Sequence, residues 1–330
     1  MKMKKEKLNI LVTGANGYIG MRLIPKLVES GHRVYCAVRN PERLSLNPDL
    51  LKKVKIITID FLNIQKNNSI PKEIDVVYYL IHSMSSKIDG FSKMEIDCAK
   101  NFNFLIKGTN AKQIIFLSGI INNKNLSKHL ESRKNVEKIL RKNQIKLTVL
   151  RAGIIVGSGS ASFEIIRDLV EKLPFMIAPK WLHTKTQPLA VRDVLSFLYG
   201  AAGNEDLYNK SYDVYGPEIL TYKELLLQFA EVRNLKRYIL TVPVMTPKLS
   251  SYWLYFVTST SYKLASSLVD SMGIQIIGKP SDINKKLGCS IPEGADYHTL
   301  AGFLLEKFQM VPKIGDILDF DNIKFEVISM

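Results

Sequence analysis

Two residues with side chains suited to proton or anion chemistry stand four positions apart in the stretch HLESRKNVEKIL. If this stretch is helical, His129 and Arg133 share one face, because residues four apart lie one turn above one another. A histidine exchanges protons near neutral pH, whereas an arginine stays charged and instead holds a hydroxyl or a phosphate. The spacing leaves two interpretations open: a working pair in a cleft, or two polar residues on a solvated helix face.

A glycine-rich turn, TGANGYIG, lies between an apolar β-branched run and a helical pattern. Its glycines let the backbone turn sharply and approach a pyrophosphate, and the next helix offers free N–H groups at its positive end. A glycine triplet alone is weak evidence, but the strand–turn–helix context is the one that a dinucleotide site requires. We predict dinucleotide binding, with a plain tight turn as the alternative. The predicted contact residues are Gly14, Asn16, Gly17, Tyr18, Ile19 and Gly20.

The residues after the second and third predicted strands bear on which dinucleotide is bound. NAD sites place a carboxylate after the second strand for the ribose hydroxyl, but this chain has Arg39 there and no carboxylate before Glu42. Arg39 is either a charged fork for the 2′-phosphate of NADP or an exposed loop residue. Asp60 and Phe61 are predicted to contact the adenine, unless Asp60 caps a helix beginning at Leu62. We predict NADP as the cofactor, with NAD as second choice.

Strands and helices alternate through the first 150 residues. The predicted strands are LNILVT, RVYCAV, KIITID, DVVYYLI, QIIFLS and KLTVLR. Apolar runs without alternation, such as DVVYYLI, are typical of parallel strands covered on both faces. The βαβ order predicts an α/β fold, a Rossmann-type doubly wound parallel sheet that binds ligands beyond the carboxyl ends of its strands. Later, the spacing of Thr221 and Glu224 predicts a capping box at a helix start.

The composition excludes several classes of protein. A chain of 330 residues with 46% hydrophobic and 23% charged residues is typical of one globular domain with an appendage, or of two domains. The net charge of +15 comes from scattered residues, so we predict no nucleic-acid partner and keep attraction to anionic lipid as an alternative. Three distant cysteines predict no metal site and a cytoplasmic location. We expect no targeting segment and no transmembrane span, since no apolar run approaches ~18 residues.

Six separated motifs then carry a family resemblance. They resemble the atypical short-chain dehydrogenase/reductases (SDRs), most closely the bacterial NAD(P)H-binding, sugar-epimerase-like group. The resemblance covers about residues 7–270 and implies a Rossmann core, a bound dinucleotide and a small substrate lobe, but no particular substrate. The motifs are LVTGANGYIG, VYYLIHSM, FLSGI, VLRAGIIVGSGSASFEIIRDLVEKLP, QPLAVRDV and VPVMTPKLSSYW.

The resemblance also implies roles for particular residues. In active extended members, a Ser or Thr after the fifth strand works with a Tyr-x-x-x-Lys pair on the next helix. The tyrosine transfers the proton, and the lysine lowers the tyrosine pKa and holds the nicotinamide ribose. Ser118 matches the serine, but His129 and Arg133 stand where the tyrosine and the lysine would be. Further cofactor contacts are implied at Leu80, His82 and Arg151.

The last fifty residues resemble a different family. DINKKLG, DYHTLAGFLLEKFQMVPKIGD and FEVISM are similar to the transporter-associated domain of CorC/HlyC-type proteins, a small α+β module thought to regulate or dock. That family continues through a further strand, so we interpret the module as incomplete, and ion transport is not implied. The predicted domains are 1–277, a Rossmann domain whose substrate lobe is mainly 151–277, and 278–330, the transporter-associated-like module.

Two main functions remain open from the sequence. The first is an NADP(H)-dependent oxidoreductase or epimerase that uses Ser118, His129 and Arg133 on an unknown small molecule. The second is a non-catalytic dinucleotide-binding sensor or assembly factor, which the missing tyrosine favours. A weaker third function is a membrane-peripheral partner protein using residues 250–270 and the C-terminal module. The oligomeric state is not indicated.

Overall fold

The computed structural model describes residues 7–82, 88–121, 126–242, 257–258, 266, 269–287, 316–320 and 323–326. Most of the 250–270 segment, and all of DYHTLAGFLLEKFQMVPKIGD except its last residue, lie outside these ranges. The chain divides into two compact units, Met1–Pro280 and Ser281–Met330.

The strands and helices follow one another closely along the first unit. The strands are β1 Asn9–Thr13, β2 Arg33–Val38, β3 Val54–Thr58, β4 Val76–Tyr79, β5 Gln113–Gly119, β6 Lys146–Ala152, β7 Ile155–Val156, β8 Phe175–Pro179, β9 Lys185–Thr186, β10 Leu189–Ala190, β11 Ser211–Val214, β12 Leu220–Thr221, β13 Tyr238–Val242, β14 Ile317–Phe320 and β15 Ile323–Glu326. The helices are α1 Tyr18–Glu29, α2 Pro48–Leu51, α3 Ile88–Ile106, α4 Lys128–Leu140, α5 Ala161–Lys172, α6 Val191–Ala201, α7 Tyr222–Val232 and α8 Ile283–Lys286.

Seven of these strands form one parallel sheet in the order β11-β6-β5-β4-β1-β2-β3. The predicted doubly wound sheet is therefore confirmed. The chain crosses from β3 back past β1 to β4, so the strand order reverses between β1 and β4. Ligands in such sheets bind at this switch point, beyond the carboxyl ends of the strands. The seventh strand, β11, has only four residues and was not predicted.

Apolar side chains cover both faces of the sheet. On one face α3 packs beside α4, and the ring of Phe102 lies edge-on against that of Tyr79, with centroids 5.0 Å apart. On the other face α1 packs beside α6, burying Leu23, Leu27 and Leu198. Each fully buried side chain of this kind contributes about 1.5–3 kcal/mol of transfer free energy. This double covering explains the continuous apolar strand sequences.

A smaller lobe follows the sheet and has its own core. Helices α5 and α7 pack together, and β8 pairs in parallel with β13. The predicted capping box is confirmed, because the Thr221 hydroxyl accepts the Glu224 N–H (3.1 Å) and the Glu224 carboxylate accepts the Thr221 N–H (2.7 Å). Buried side chains from α5, β8, α7 and the 269–272 stretch fill the lobe core, including Leu169, Met176, Leu226 and Met272.

The second unit is described at three short elements. Helix α8 precedes a hairpin in which β14 and β15 pair antiparallel, with Ile317 opposite Glu326. Across the described residues of both units, no helix combines the length and the apolar character that crossing a bilayer requires.

Candidate functional site

The three glycines of the turn between β1 and α1 are required for three different reasons. Gly14 has a left-handed backbone (φ +64°), and a Cβ there would lie 2.8 Å from the Leu80 carbonyl oxygen at the end of β4. A Cβ on Gly20 would lie 2.6 Å from the Gly14 carbonyl oxygen, so this glycine allows α1 to pack closely against the turn. A Cβ on Gly17 would meet only the Gly14 oxygen, at 3.1 Å, and otherwise points into open space.

The open space above Gly17 fits a phosphate group. Gly17 is the N-cap of α1 and makes no side-chain capping bond, so the first turn of the helix presents its N–H groups and its positive dipole end. A bulky side chain would fill this cradle. Asn16 and Ile19 are half-buried in the same turn, whereas the Tyr18 ring lies beneath the Arg22 guanidinium, 3.9 Å from ring centroid to Cζ. The residues present therefore fit a dinucleotide pyrophosphate.

Residues after β2 and β3 lie where the predicted cofactor specificity requires them. Arg39 directly follows β2 and is exposed. The Asp60 carboxylate accepts the Leu62 N–H (3.0 Å) and the Asn63 amide (3.3 Å), so it closes a turn, and no described helix begins at Leu62. The Phe61 ring is buried against Phe102, so a contact from Phe61 to an adenine would come from its backbone.

A chain of polar side chains lies beside the turn, at the carboxyl end of β4. The Thr13 hydroxyl bonds the Tyr78 carbonyl oxygen (3.1 Å) and the Leu80 N–H (3.3 Å), which ties the end of β1 to the stretch leading to His82. His82 Nδ1 lies 2.7 Å from the Glu95 carboxylate on α3, and His82 Nε2 lies 3.0 Å from His129 Nε2 on α4. Residues from three separate elements thus form a linear array, His129–His82–Glu95.

Glu95 is the buried end of this array. Its side chain is 1% exposed, and it also accepts hydrogen bonds from the Ser132 hydroxyl (2.6 Å) and the Arg133 guanidinium (3.3 Å). Burial alone would raise the pKa of Glu95, but the bond from His82 and the positive charge of Arg133 outweigh it and lower the pKa to about 2. Because Arg133 is always protonated, this lowering does not need a charged His82. Glu95 is therefore an anion at neutral pH.

An ionised Glu95 determines the proton positions on both imidazoles. A carboxylate only accepts hydrogen bonds, so His82 must donate from Nδ1. The neutral His82 then accepts at Nε2, and His129 donates from its own Nε2, which leaves His129 Nδ1 as the acceptor of that ring. Burial, the adjacent His82 and Arg133 lower the pKa of His129 to about 3. Both histidines are neutral in this arrangement, since burial also lowers the pKa of His82.

Arg133 and Ser118 occupy the end of β5 beside this array. The Arg133 guanidinium donates to the carbonyl oxygens of Ile81 (3.0 Å) and Leu117 (2.6 Å), which ties α4 to the ends of β4 and β5. The Ser118 side chain is buried, and its hydroxyl makes no hydrogen bond within the described part of the chain. A buried hydroxyl without a partner costs about 1–3 kcal/mol, so it points to an external partner such as a ligand.

Residues 14–172 match a family model described as NAD(P)H-binding, and residues 279–330 match one described as a transporter-associated domain. The chain carries an NAD(P)H-binding domain. Both resemblances seen in the sequence, to the atypical SDRs and to the CorC/HlyC module, are thereby confirmed.

Individual relatives of this NAD(P)H-binding domain are distant. The chloroplast divinyl chlorophyllide a 8-vinyl-reductase of Arabidopsis thaliana is 21% identical over 226 residues, which are 64% of this chain and 54% of that protein. The chain thus spans about half the length of that relative. A nucleoside-diphosphate-sugar epimerase from Staphylococcus aureus superimposes with a TM-score of 0.67 at 19% identity, over 90% of this chain and 99% of its own. MoeE5 in complex with UDP-glucose and NAD gives 0.62 at 14% identity, over 91% and 99%. At these identities the solved structures show a shared fold.

One predicted contact residue of the NAD(P)H-binding domain is held by protein partners. Arg151, at the end of β6, donates to both carboxylate oxygens of Glu137 on α4 (2.9 and 3.1 Å). Glu137 is buried and is also bonded by Arg141 (2.8 Å). The structure therefore places Arg151 in an ion-pair network between α4 and the sheet, at a distance from any bond to Glu95.

Two residues of the site were missed in the sequence, Glu95 and Ser132, and His82 was predicted only as a cofactor contact. A signal for Glu95 existed. It occupies the same helix face as Cys98, Ala99 and Phe102, all buried, at spacings of three, four and seven residues. A carboxylate on the apolar face of a helix must be paired or hydrogen-bonded when it is buried. Its partners could not be named, since they lie 13 and 37 residues away along the chain.

Proposed function

We propose that the chain is an NADP(H)-dependent oxidoreductase in which the His129–His82–Glu95 array takes the place of the missing Tyr-x-x-x-Lys pair. The observation that carries the proposal is the buried, ionised Glu95 at the end of a two-histidine array, beside the glycine turn. An ordered array that ends on a buried carboxylate can stabilise a proton taken up at its other end. A solvated pair of surface residues would show neither the burial nor the second and third bonds to Glu95.

Each side chain has a defined task in this proposal. The dinucleotide, when bound, supplies or accepts the hydride. The Ser118 hydroxyl donates a hydrogen bond to the reacting oxygen of the substrate. His129 accepts the substrate proton at Nδ1 while its Nε2 proton passes to His82, so that the positive charge rests beside the Glu95 carboxylate. Arg133 positions α4 against the strand ends and keeps Glu95 ionised.

The substrate class that we test first is the nucleotide sugar. MoeE5 has this fold and binds UDP-glucose together with NAD, and the Staphylococcus aureus relative is a nucleoside-diphosphate-sugar epimerase. Oxidation of a sugar hydroxyl requires a base at the hydroxyl proton, which is the task assigned to His129. Reduction of the resulting carbonyl on its other face would give epimerisation with the same residues.

Turnover of purified protein with NADP(H) or NAD(H) and a panel of nucleotide sugars and carbonyl compounds tests the proposal. His129→Gln should remove turnover and leave dinucleotide binding unchanged, because glutamine keeps a donor but cannot take up the proton. His183→Gln is the matched control, since His183 bonds Thr241 in the lobe and lies outside the array. In the oxidation direction the rate should fall with acid through a pKa below 6.5, the direction of the shift at His129.

The non-catalytic sensor is the second candidate, and the placement of Arg133 favours it. The Arg133 guanidinium is engaged by two carbonyl oxygens and Glu95, whereas the family lysine holds the nicotinamide ribose. Native mass spectrometry that shows a co-purifying dinucleotide, together with absent turnover across the panel, would select the sensor. Absence of any bound or titratable dinucleotide would reject both candidates.

Several further assignments accompany this proposal. We propose a cytoplasmic location and a docking or regulatory role for residues 278–330, with the domain boundary at 277/278 in the Gly278–Pro280 linker. A version ending at Ile277 that still binds the dinucleotide would support the boundary, and one that aggregates would oppose it.

A further inference from the structure

Four large apolar side chains form an exposed strip on the outer face of the β8–β13 pair. Phe175, Ile177, Tyr238 and Leu240 are 73%, 59%, 59% and 66% exposed, respectively. In the register of the two strands Phe175 stands beside Tyr238 and Ile177 beside Leu240, and the two rings stack with centroids 5.1 Å apart. The intervening β8 residue, Met176, points the other way into the lobe core. We call these four residues the apolar strip.

We propose that the apolar strip binds an anionic lipid surface. Basic residues adjoin both ends of the strip: Lys180 directly follows β8, and Lys236 and Arg237 directly precede β13. Arg237 is held at the margin by bonds to the Val170 and Glu171 carbonyl oxygens. The exposed Glu171 carboxylate is paired with Arg233 (3.2 Å), so the margin stays positive. Apolar side chains that enter the headgroup region and basic residues that face anionic lipids are the two parts of an interfacial site.

The same observations argue against a second copy of the chain as the occupant. Self-association through this face would bring the basic margins of two molecules together, each with a net charge of +15. The area is also small, because four partly exposed side chains offer on the order of 400 Å², about half of the ~800 Å² per partner in a standard interface. A lipid surface needs no matching shape and has the opposite charge.

The sequence that follows β13 has the same chemistry as the strip. From Pro243 to Val269 the charged residues are Lys248 and Lys263, both basic. The same stretch carries Tyr252, Trp253, Tyr255, Phe256 and Tyr262, and tyrosine and tryptophan are enriched at membrane–water interfaces. An apolar, aromatic and basic composition therefore continues directly from the end of a strip strand.

Co-sedimentation of the full chain with lipid vesicles tests the proposal. We expect binding to phosphatidylcholine–phosphatidylserine vesicles (about three to one), much weaker binding to phosphatidylcholine alone, and weakening by salt. The double variant Phe175→Ser, Leu240→Ser should lower the bound fraction at least tenfold. The matched control is Phe104→Ser, Ile56→Ser, which removes two exposed apolar side chains, 69% and 42% exposed, from the Rossmann part. Lys180→Glu with Lys236→Glu should weaken binding to the anionic vesicles alone.

Every outcome bears on the proposal. Loss of binding in the strip variant alone, with an unchanged melting temperature, supports it. Equal loss in the control variant, undiminished binding in the strip variant, or no binding by the wild type overturns it. So does a change from dimer to monomer on size exclusion in the strip variant, since the occupant would then be a second copy. The test is independent of turnover.

Discussion

The glycine turn and the His129–His82–Glu95 array lie at the same edge of the sheet but are built in opposite ways. The turn is made by the backbone of consecutive residues, Gly14 to Gly20, and its ligand-binding groups are main-chain N–H groups. The array is made by side chains from the end of β4, from α3 and from α4. A backbone site depends on which residues are absent, namely Cβ atoms, whereas the array depends on which helix faces are buried.

The sharpest way to break this comparison is to remove the carboxylate on which the array ends. Glu95→Ala leaves the Arg133 guanidinium, 6% exposed, without its buried counter-charge. Breaking a buried ion pair from one side costs about 3–5 kcal/mol, so we expect the free energy of unfolding to fall by that amount. Urea denaturation measures it. Glu131→Ala, which removes an exposed carboxylate from α4, should change stability by less than about 0.5 kcal/mol.

The pH dependence identifies this loss as the loss of an ionised group. The pKa of Glu95 is lowered from 4.5 to about 2 in the folded state. Its contribution is therefore fully present above its unfolded pKa and is lost as the pH falls through the folded value. The stability difference between wild type and Glu95→Ala should narrow from about pH 5 toward pH 2. A difference that is constant over this range would mean that Glu95 contributes packing alone.

The same contrast explains what the sequence could and could not predict. The sheet, the glycine turn and the α7 capping box follow from local patterns, namely apolar runs, glycine spacing and the Thr221–Glu224 pair. The array requires the pairing of residues 47 and 37 positions apart, His82 with His129 and Glu95 with Ser132. Helical spacing predicted that His129 and Arg133 share a face, but the two side chains have different partners, and only Arg133 reaches Glu95. The β8–β13 pair and β11 were missed because their strands have four or five residues.

The backbone half of the comparison is broken by filling the cradle above Gly17. Gly17→Leu places a branched side chain where the pyrophosphate would lie, so NADPH affinity should fall at least a hundredfold, about 2.7 kcal/mol. Stability should change little, since a Cβ at Gly17 meets only one backbone atom, whereas Gly14→Ala would be strained by its positive φ. Titration of NADPH fluorescence measures the affinity. Gly108→Leu, at an exposed glycine after α3, is the control. Equal affinity of the Gly17 variant and the wild type would remove the turn from the site.

The smallest expected effect concerns the one side chain that joins the backbone site, Arg39. As a charge-assisted partner of the 2′-phosphate it would contribute at least about 1.5 kcal/mol, and its exposure places it at the low end of that range. Arg39→Ala should therefore weaken NADPH binding about tenfold and leave NADH binding nearly unchanged. Calorimetric titration of both dinucleotides measures the ratio, and Arg43→Ala, an exposed arginine in the same loop, should leave it unchanged. Equal losses for the two dinucleotides, or no loss, would make NAD(H) the preferred cofactor. The turn would then bind the pyrophosphate through its backbone alone, with no side chain that distinguishes the two cofactors at this position.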